Sequence, residues 1–412
     1  VPPGLHAEVW IVAMTEPATK KQKSGGSGVQ VATATCASNI AVIKYWGKRD
    51  SKLLLPINSS LSVTLDPLQM GTTTTAAISE EWEGDRLWLN GKEEDSSAQR
   101  IQNCLREIRA RAGSDAPKGG LRIVSANNFP TAAGLASSAS GYACLVAALG
   151  YLYKIDGDLS VVARQGSGSA CRSVYGGFVK WEMGSKADGS DSRAYQVAPE
   201  SHWPSLQALI LVVSDEKKKV SSTGGMENSV RTSKLLKHRA EAVVADRLAA
   251  IEKAIAAKDF ETFGKITMEE SNQFHACCLD TWPPIFYLND VSKHVINAIH
   301  AYNEQQGKIV AAYTFDAGPN AVVYTEDAHV VDLCRTLVAA FPPPAGTPVN
   351  DFITSPALAQ QVLEADAKAP QEVDADMAGK VKYVIHSKVG GGPDPQPEDK
   401  SLVDLSTGEP KK

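Results

Sequence analysis

Residues 127–141 read NNFPTAAGLASSASG. They join LRIVSANNFP at 121–130, a β-rich run, to GLASSASGYACLVAALGYLY at 134–153, a long segment of small and apolar residues. The pattern predicts a strand ended by Pro130, a turn permitted by Gly134, and a helix begun by Ala136, Ser137 and Ser138. The first amide hydrogens of such a helix have no internal partner and sit at the positive end of its dipole. With two hydroxyls beside them and no large side chains in the way, they suit a phosphate. No G-K-[ST] follows, so this is not a Walker loop, and on chemistry alone an ordinary capped helix is the better explanation of the segment.

RQGSGSACRSVYGG at 164–177 has the same character and adds a cation. Ser167, Gly168 and Ser169 offer donors, and the Arg172 guanidinium can grip a carboxylate in two places. A surface turn is the plain alternative. IKYWGKRD at 43–50 places Lys44 and Lys48 four apart, on one side if helical, around Tyr45 and Trp46. YTFDAGPNAVVY at 313–324 sets Asp316 in a turn between apolar strand-like runs, where Gly318 and Pro319 explain the bend but not the acid.

At 412 residues the chain fits two domains. Several β-rich segments come first, with an amphipathic helix over 98–112 carried by Ile101, Leu105 and Ile108. A second alternation of strands and helices follows ALILVVSD at 208–215. The expected organisation is a disordered tail over 1–28, a first domain over 29–205, a second over 206–392 and a loose tail over 393–412, which includes the proline-rich PDPQPEDK. KKQK at 20–23 reads as a solvated charge cluster. With 43% hydrophobic residues, 22% charged and a net charge of −5, the chain has no general attraction for nucleic acid or anionic membranes. Any anionic ligand must therefore meet a local basic pocket. The seven cysteines are scattered, with no C-x-x-C pair, and read as reduced, packed thiols. His275, near Cys277 and Cys278, reads as a core histidine rather than a metal ligand. No run approaches a membrane span and no secretory signal is evident.

Three donor-rich segments in the first half and a lone carboxylate in the second suggest phosphate chemistry in an interdomain cleft. From about 30 to 392 the chain also resembles the eukaryotic mevalonate diphosphate decarboxylase family of the GHMP kinase superfamily. The resemblance rests on NIAVIKYWGKRD, LPINSSLSVTL, WLNGKEE, NNFPTAAGLASSASG, ARQGSGSACRSVYGGFVKW, SSTGGM, SNQFHACCLDTWPPIFYLND and AYTFDAGPNAV. It implies an α+β, two-domain GHMP kinase fold: an amino-terminal domain like ribosomal protein S5, a ferredoxin-like carboxy-terminal domain and an active-site cleft between them. It implies a homodimer that uses ATP and Mg2+ to turn mevalonate diphosphate into isopentenyl diphosphate, with ADP, phosphate and carbon dioxide as the other products; a cytoplasmic location is the default expectation.

By motif position, the resemblance makes Asp316 the catalytic acid with Lys44 beside it, Arg172 the contact to the substrate carboxylate, and Asn39 an organising residue. Tyr45, Lys48, Arg100, Ser167, Gly168, Ser169 and Thr223 fall on substrate contacts, with Trp46, Gly47, Ala170, Cys171 and Ser222 alongside. Gly134, Leu135, Ala136, Ser137 and Ser138 form the ATP phosphate loop. No protein ligand is assigned to the magnesium, and no adenine pocket. Departures from the pattern are peripheral: the extra amino-terminal segment, Ser140 where alanine is common, and the triple glycine at 390–392. Two other readings use the same residues, namely a kinase of the same tertiary hydroxyl that stops at phosphorylation, and an inactive isoprenoid-diphosphate-binding protein. Asp316 and Lys44 argue against both.

Overall fold

The computed structural model describes residues 28–129, 137–214, 218–365 and 375–411. Expectations for the 1–28 tail, and for Gly134, Leu135 and Ala136, lie outside these residues, apart from Gly28.

The larger sheet of the first half runs Asp394–Gln396, Gln30–Ala37, Gly71–Ser79, Gly120–Asn127, Arg86–Leu89, Lys92–Glu94. Its neighbours are antiparallel except Gly120–Asn127 with Arg86–Leu89. The central Gly71–Ser79 strand, GTTTTAAIS, buries threonines, and cross-strand hydroxyl pairs satisfy them: Thr33 with Thr75 at 2.9 Å and Thr74 with Ser125 at 2.9 Å. The Ser137–Leu152 helix lies on this sheet. Its small residues let the backbones approach closely enough for Cys144 Sγ to reach the carbonyls of Ala34 and Thr72 at 3.1 and 3.0 Å. The expected amphipathic helix is present as Gln99–Ala112, with Ile101, Cys104, Leu105 and Ile108 buried.

A second sheet, in the order Ala194–Ala198, Phe178–Trp181, Ser60–Thr64, Asn39–Ile43, carries the chain to the site. The later half is built on an antiparallel sheet of Ala311–Phe315, Ala321–Glu326, Leu206–Val212 and Tyr383–Lys388. LQALILV at 206–212 is buried at every position, as an unbroken apolar run in a covered central strand requires. The Phe260–Leu279 helix, capped by the Asp259 side chain on the Thr262 amide, packs on this sheet beside Asp290–Gln306. One apolar core runs across both halves, joining Ile40, Val42, Leu61 and Phe178 to Leu209, Phe263 and Val323.

The loose carboxy-terminal tail expected over 393–412 is corrected. Asp394–Gln396 pairs with the edge of Gln30–Ala37, Val403 is buried with Ala77, Trp88 and Val124, and Glu409 pairs with Arg86. Proline and acidic residues are tolerated there because an edge strand needs only one row of partners. The spacing of Lys44 and Lys48 is also not helical: Lys44 follows the Asn39–Ile43 strand and Lys48 opens the Lys48–Asp50 strand. All seven cysteines are free and buried.

Candidate active site

Asp316 follows the buried Ala311–Phe315 strand, and its carbonyl accepts from the Gly318 amide at 2.8 Å. Lys44 leaves the Asn39–Ile43 strand toward it. The Lys44 Nζ donates to Asp316 Oδ1 at 2.6 Å, so the two halves of the chain meet at this pair. The lysine side chain is 3% exposed and the carboxylate 29%, leaving the acid accessible and the cation enclosed. Burial pushes the Lys44 ammonium below its ordinary range, opposed first by Asp316 and then by Glu270.

Arg172 belongs to a short helix, Ala170–Ser173, rather than a turn, and is 2% exposed. Its Nε donates to Asn39 Oδ1 at 3.2 Å and Nη1 to Ser60 Oγ at 2.7 Å. Asn39 Nδ2 in turn donates to the Ser169 carbonyl at 3.0 Å and to Ser173 Oγ at 2.7 Å. Asn39 therefore fixes both the guanidinium and the loop before it. The Ser138 and Ser167 hydroxyls lie 3.3 Å apart, as do those of Ser167 and Ser169, so the two Gly/Ser loops meet through side-chain oxygens. Ser137 opens the same helix as Ser138.

Tyr45 packs edge-on against Trp181, with ring centroids 4.7 Å apart, and its buried hydroxyl has no hydrogen-bond partner among the described residues. A Cβ on Gly168 would lie 2.8 Å from that hydroxyl. Arg100, far away in the Gln99–Ala112 helix, reaches Thr223 Oγ1 at 3.2 Å, at the start of the Ser222–Thr232 helix of the other half. Burial and then the Arg100 charge lower the Lys48 ammonium, which places these two cations in one environment.

Trp46, Ala170 and Cys171 serve packing with their side chains, and Gly47 by lacking one. Trp46 is 2% exposed, donates to Ser229 Oγ at 2.9 Å and joins Phe274 and Tyr287 in an apolar cluster between the halves. Gly47 has φ +99°, and a Cβ there would meet Ile57 at 2.7 Å. Ala170 and Cys171 are fully buried, and burial pushes the Cys171 thiol up to about 12. His275 is packed against Phe274 and Phe315, and burial lowers it to about 3, so it is a neutral core residue near physiological pH.

Three residues escaped the sequence reading. Lys218 Nζ donates to Ser222 Oγ at 2.8 Å and to the Ala317 carbonyl at 3.1 Å, beside Asp316. The basic run immediately before SSTGGM was the available signal. Glu270 and Arg239 hold the main chain of Lys44, and no local signal marks them. Among the described residues, no three His, Cys, Asp or Glu side chains converge on a metal position. The accessible Asp316 carboxylate and the Ser138 and Ser167 hydroxyls are hard oxygen donors of the kind Mg2+ takes beside substrate phosphates.

The family model of the diphosphomevalonate decarboxylase-like N-terminal domain matches residues 36–194, and that of the mevalonate 5-diphosphate decarboxylase C-terminal domain matches 208–395. Diphosphomevalonate decarboxylase of Bos taurus is 52% identical over 376 residues, covering 89% of this chain and 93% of the relative. This chain belongs to the diphosphomevalonate decarboxylase family. The solved mevalonate diphosphate decarboxylase of Trypanosoma brucei superposes on this decarboxylase-family chain with a TM-score of 0.84 at 37% identity, covering 91% of this chain and all (100%) of the other. A third relative, MDDEF in complex with MVAPP, AMPPCP and magnesium, has a TM-score of 0.70 at 29% identity, covering 89% and 99% of the two chains. The α+β GHMP kinase fold expected from the motifs is the fold of this family.

Proposed function

We propose that this chain catalyses the ATP-dependent decarboxylation of (R)-5-diphosphomevalonate to isopentenyl diphosphate, releasing ADP, phosphate and carbon dioxide. The observation that carries it is the 2.6 Å contact of Lys44 with Asp316, which sets one accessible carboxylate opposite the donor-rich loops. MVAPP, the ATP analogue AMPPCP and magnesium occupy a related structure, which supports mevalonate diphosphate, ATP and Mg2+ as the ligands here.

In this reading Asp316 orients the tertiary hydroxyl of the substrate. The loose transition state of phosphoryl transfer needs little early deprotonation of the attacking hydroxyl. Asp316 therefore positions the nucleophile first and accepts its proton late. Phosphate then leaves a tertiary carbon, and the fixed anion favours the positive charge that develops there. Arg172, anchored by Asn39, holds the substrate carboxylate in line for loss as carbon dioxide. Ser137 and Ser138 serve the ATP phosphates. Magnesium, when bound, neutralises charge on those phosphates. Tyr45, Lys48, Arg100, Ser167, Gly168, Ser169, Ser222 and Thr223 receive the substrate diphosphate, while Trp46, Gly47, Ala170 and Cys171 shape the site from behind.

Seven reduced, buried thiols support a reducing compartment, and we assign a cytosolic homodimer, to be checked by fractionation and light scattering. The functional test is incubation of the purified protein with ATP, magnesium and mevalonate diphosphate. Equal yields of carbon dioxide and ADP are expected. ADP without carbon dioxide identifies a kinase, and neither product identifies a binding protein.

A further inference from the structure

The two peptide groups at Lys44 end on charged side chains of the other half. The Lys44 amide donates to Glu270 Oε2 at 3.0 Å, and its carbonyl accepts from Arg239 Nη2 at 3.1 Å. Asn58 Nδ2 gives that carbonyl a second bond at 3.1 Å. Glu270 and Arg239 have no exposed side-chain surface (0% each) and meet through two 2.6 Å contacts, one to each carboxylate oxygen. Arg247 adds a third at 2.7 Å, and the Gln273 side-chain oxygen accepts from both arginines at 2.9 Å.

Fold stability alone gives a poor account of this network. Dehydrating these charges is costly, and well-packed apolar residues commonly do as well or better. Arg239 also opens a π-helical segment, Arg239–Val243, and such widened turns cluster at functional positions. What the network secures is the main chain of one lysine, from the half of the molecule that also carries Asp316.

We propose that Glu270, braced by Arg239, is a positioning residue: it fixes the Lys44 backbone from the second half so that docking of the two halves places the ammonium against Asp316. This rests on Lys44 and Asp316 being the reacting pair. Neither Glu270 nor Arg239 touches substrate in this account; both act through Lys44. The charged and titratable groups facing Lys44 are Asp316 from the sheet, Glu270 and the neutral His275 from the Phe260–Leu279 helix, Arg239 from the π-helical turn and Arg172 from the first half. Glu270 is thus one of two anions supporting its protonation against burial.

Glu270→Gln keeps an oxygen for the Lys44 amide and removes the charge. Expected is a fall in kcat of roughly 10- to 100-fold, the range that misplacing a reacting group produces, with KM for ATP within about twofold. The high-pH limb of kcat should move to lower pH, because Lys44 loses a supporting anion. Arg239→Lys keeps the charge but loses the fork, so kcat should fall with the limb in place. Folding is checked by circular dichroism, and Asp316→Asn is measured in parallel. A folded Glu270→Gln with wild-type kcat and pH profile overturns the proposal, as does a loss that tracks the unfolded fraction in both variants. If Glu270→Gln does not fold, Arg239→Lys decides alone: normal kcat overturns the proposal. Near-normal activity of Asp316→Asn overturns instead the underlying reading of the pair.

Discussion

Lys44 and Asp316, 272 positions apart in sequence, form a 2.6 Å ion pair in which the lysine is enclosed and the carboxylate open. A fully buried pair would be inert toward a ligand, and a fully exposed one would be too weakly coupled to hold a geometry. This asymmetry suits a group whose partner holds it while a substrate hydroxyl meets its free side. Asp316→Asn keeps the shape and removes the anion. Turnover should fall at least ~100-fold with nucleotide affinity little changed, as for a group acting chiefly in the transition state. Single-turnover kinetics with a parallel ATP-binding titration check it.

Lys44 makes opposite demands on activity and on stability. Its ammonium is held below the ordinary lysine range by burial, so the unfolded chain binds its proton more readily than the folded one. Stability from this group therefore rises with pH between the depressed folded value and the unfolded value of ~10.4. Activity should fall over the same range, as the ammonium that holds Asp316 is lost. Lys44→Met removes the buried charge and leaves the partly exposed Asp316 to solvent. The variant should be inactive yet no less stable than the parent below that window, with its stability advantage shrinking as pH rises. Urea melts of both proteins across the window give the difference curve, and a parallel pair of curves contradicts the account.

Gly168 sits where no side chain fits. A Cβ would lie 2.8 Å from the Tyr45 hydroxyl and 2.9 Å from its ring, and Tyr45 is itself braced by Trp181. Gly168→Ala must displace the tyrosine, at about 1–3 kcal/mol for overpacking a tight site. We expect KM for mevalonate diphosphate to rise about tenfold or more, a size that ~1.4 kcal/mol of lost binding produces, with a partial return in the Gly168→Ala/Tyr45→Phe double variant. Steady-state kinetics on the three proteins tests this, and an unchanged KM in Gly168→Ala means the loop yields freely.

Much of the candidate site was legible because the residues the structure brings together lie in short segments whose chemistry is local. A carboxylate in an apolar turn, an arginine after glycines and hydroxyls at a helix start each stand out from their neighbours. Glu270 did not, because GKITMEESNQF shows it only as one of two adjacent acids in a helix, and its partner amide lies 226 positions away. Arg239, next to His238, likewise looks like a solvated charge. Trp46 stands among cations in IKYWGKRD, and nothing local shows that its indole turns into the cluster between the halves. Composition misled at the carboxy terminus, where prolines and acids signal a loop but cannot report an open strand edge elsewhere in the chain.

Asp394–Gln396 covers the edge of Gln30–Ala37, and Val403 closes an apolar cluster over Trp88 and Val124. The Leu402 amide is also held, by Thr75 Oγ1 at 2.8 Å, within the sheet's central strand. Removing residues 393–412 would uncover that edge, break the Glu409 pair with Arg86 and expose Val403's partners. Burial of a valine-sized side chain alone contributes roughly 1.5–3 kcal/mol, and an uncovered edge invites pairing between molecules. The truncated protein should melt several degrees lower and aggregate at concentrations where the full chain stays dispersed. Val403→Ala, which keeps the strand pairing, should lower the melting midpoint without the aggregation. Scanning calorimetry and light scattering on the two variants separate the packing contribution from the edge. If truncation leaves both readouts unchanged, the segment is a bystander to the sheet.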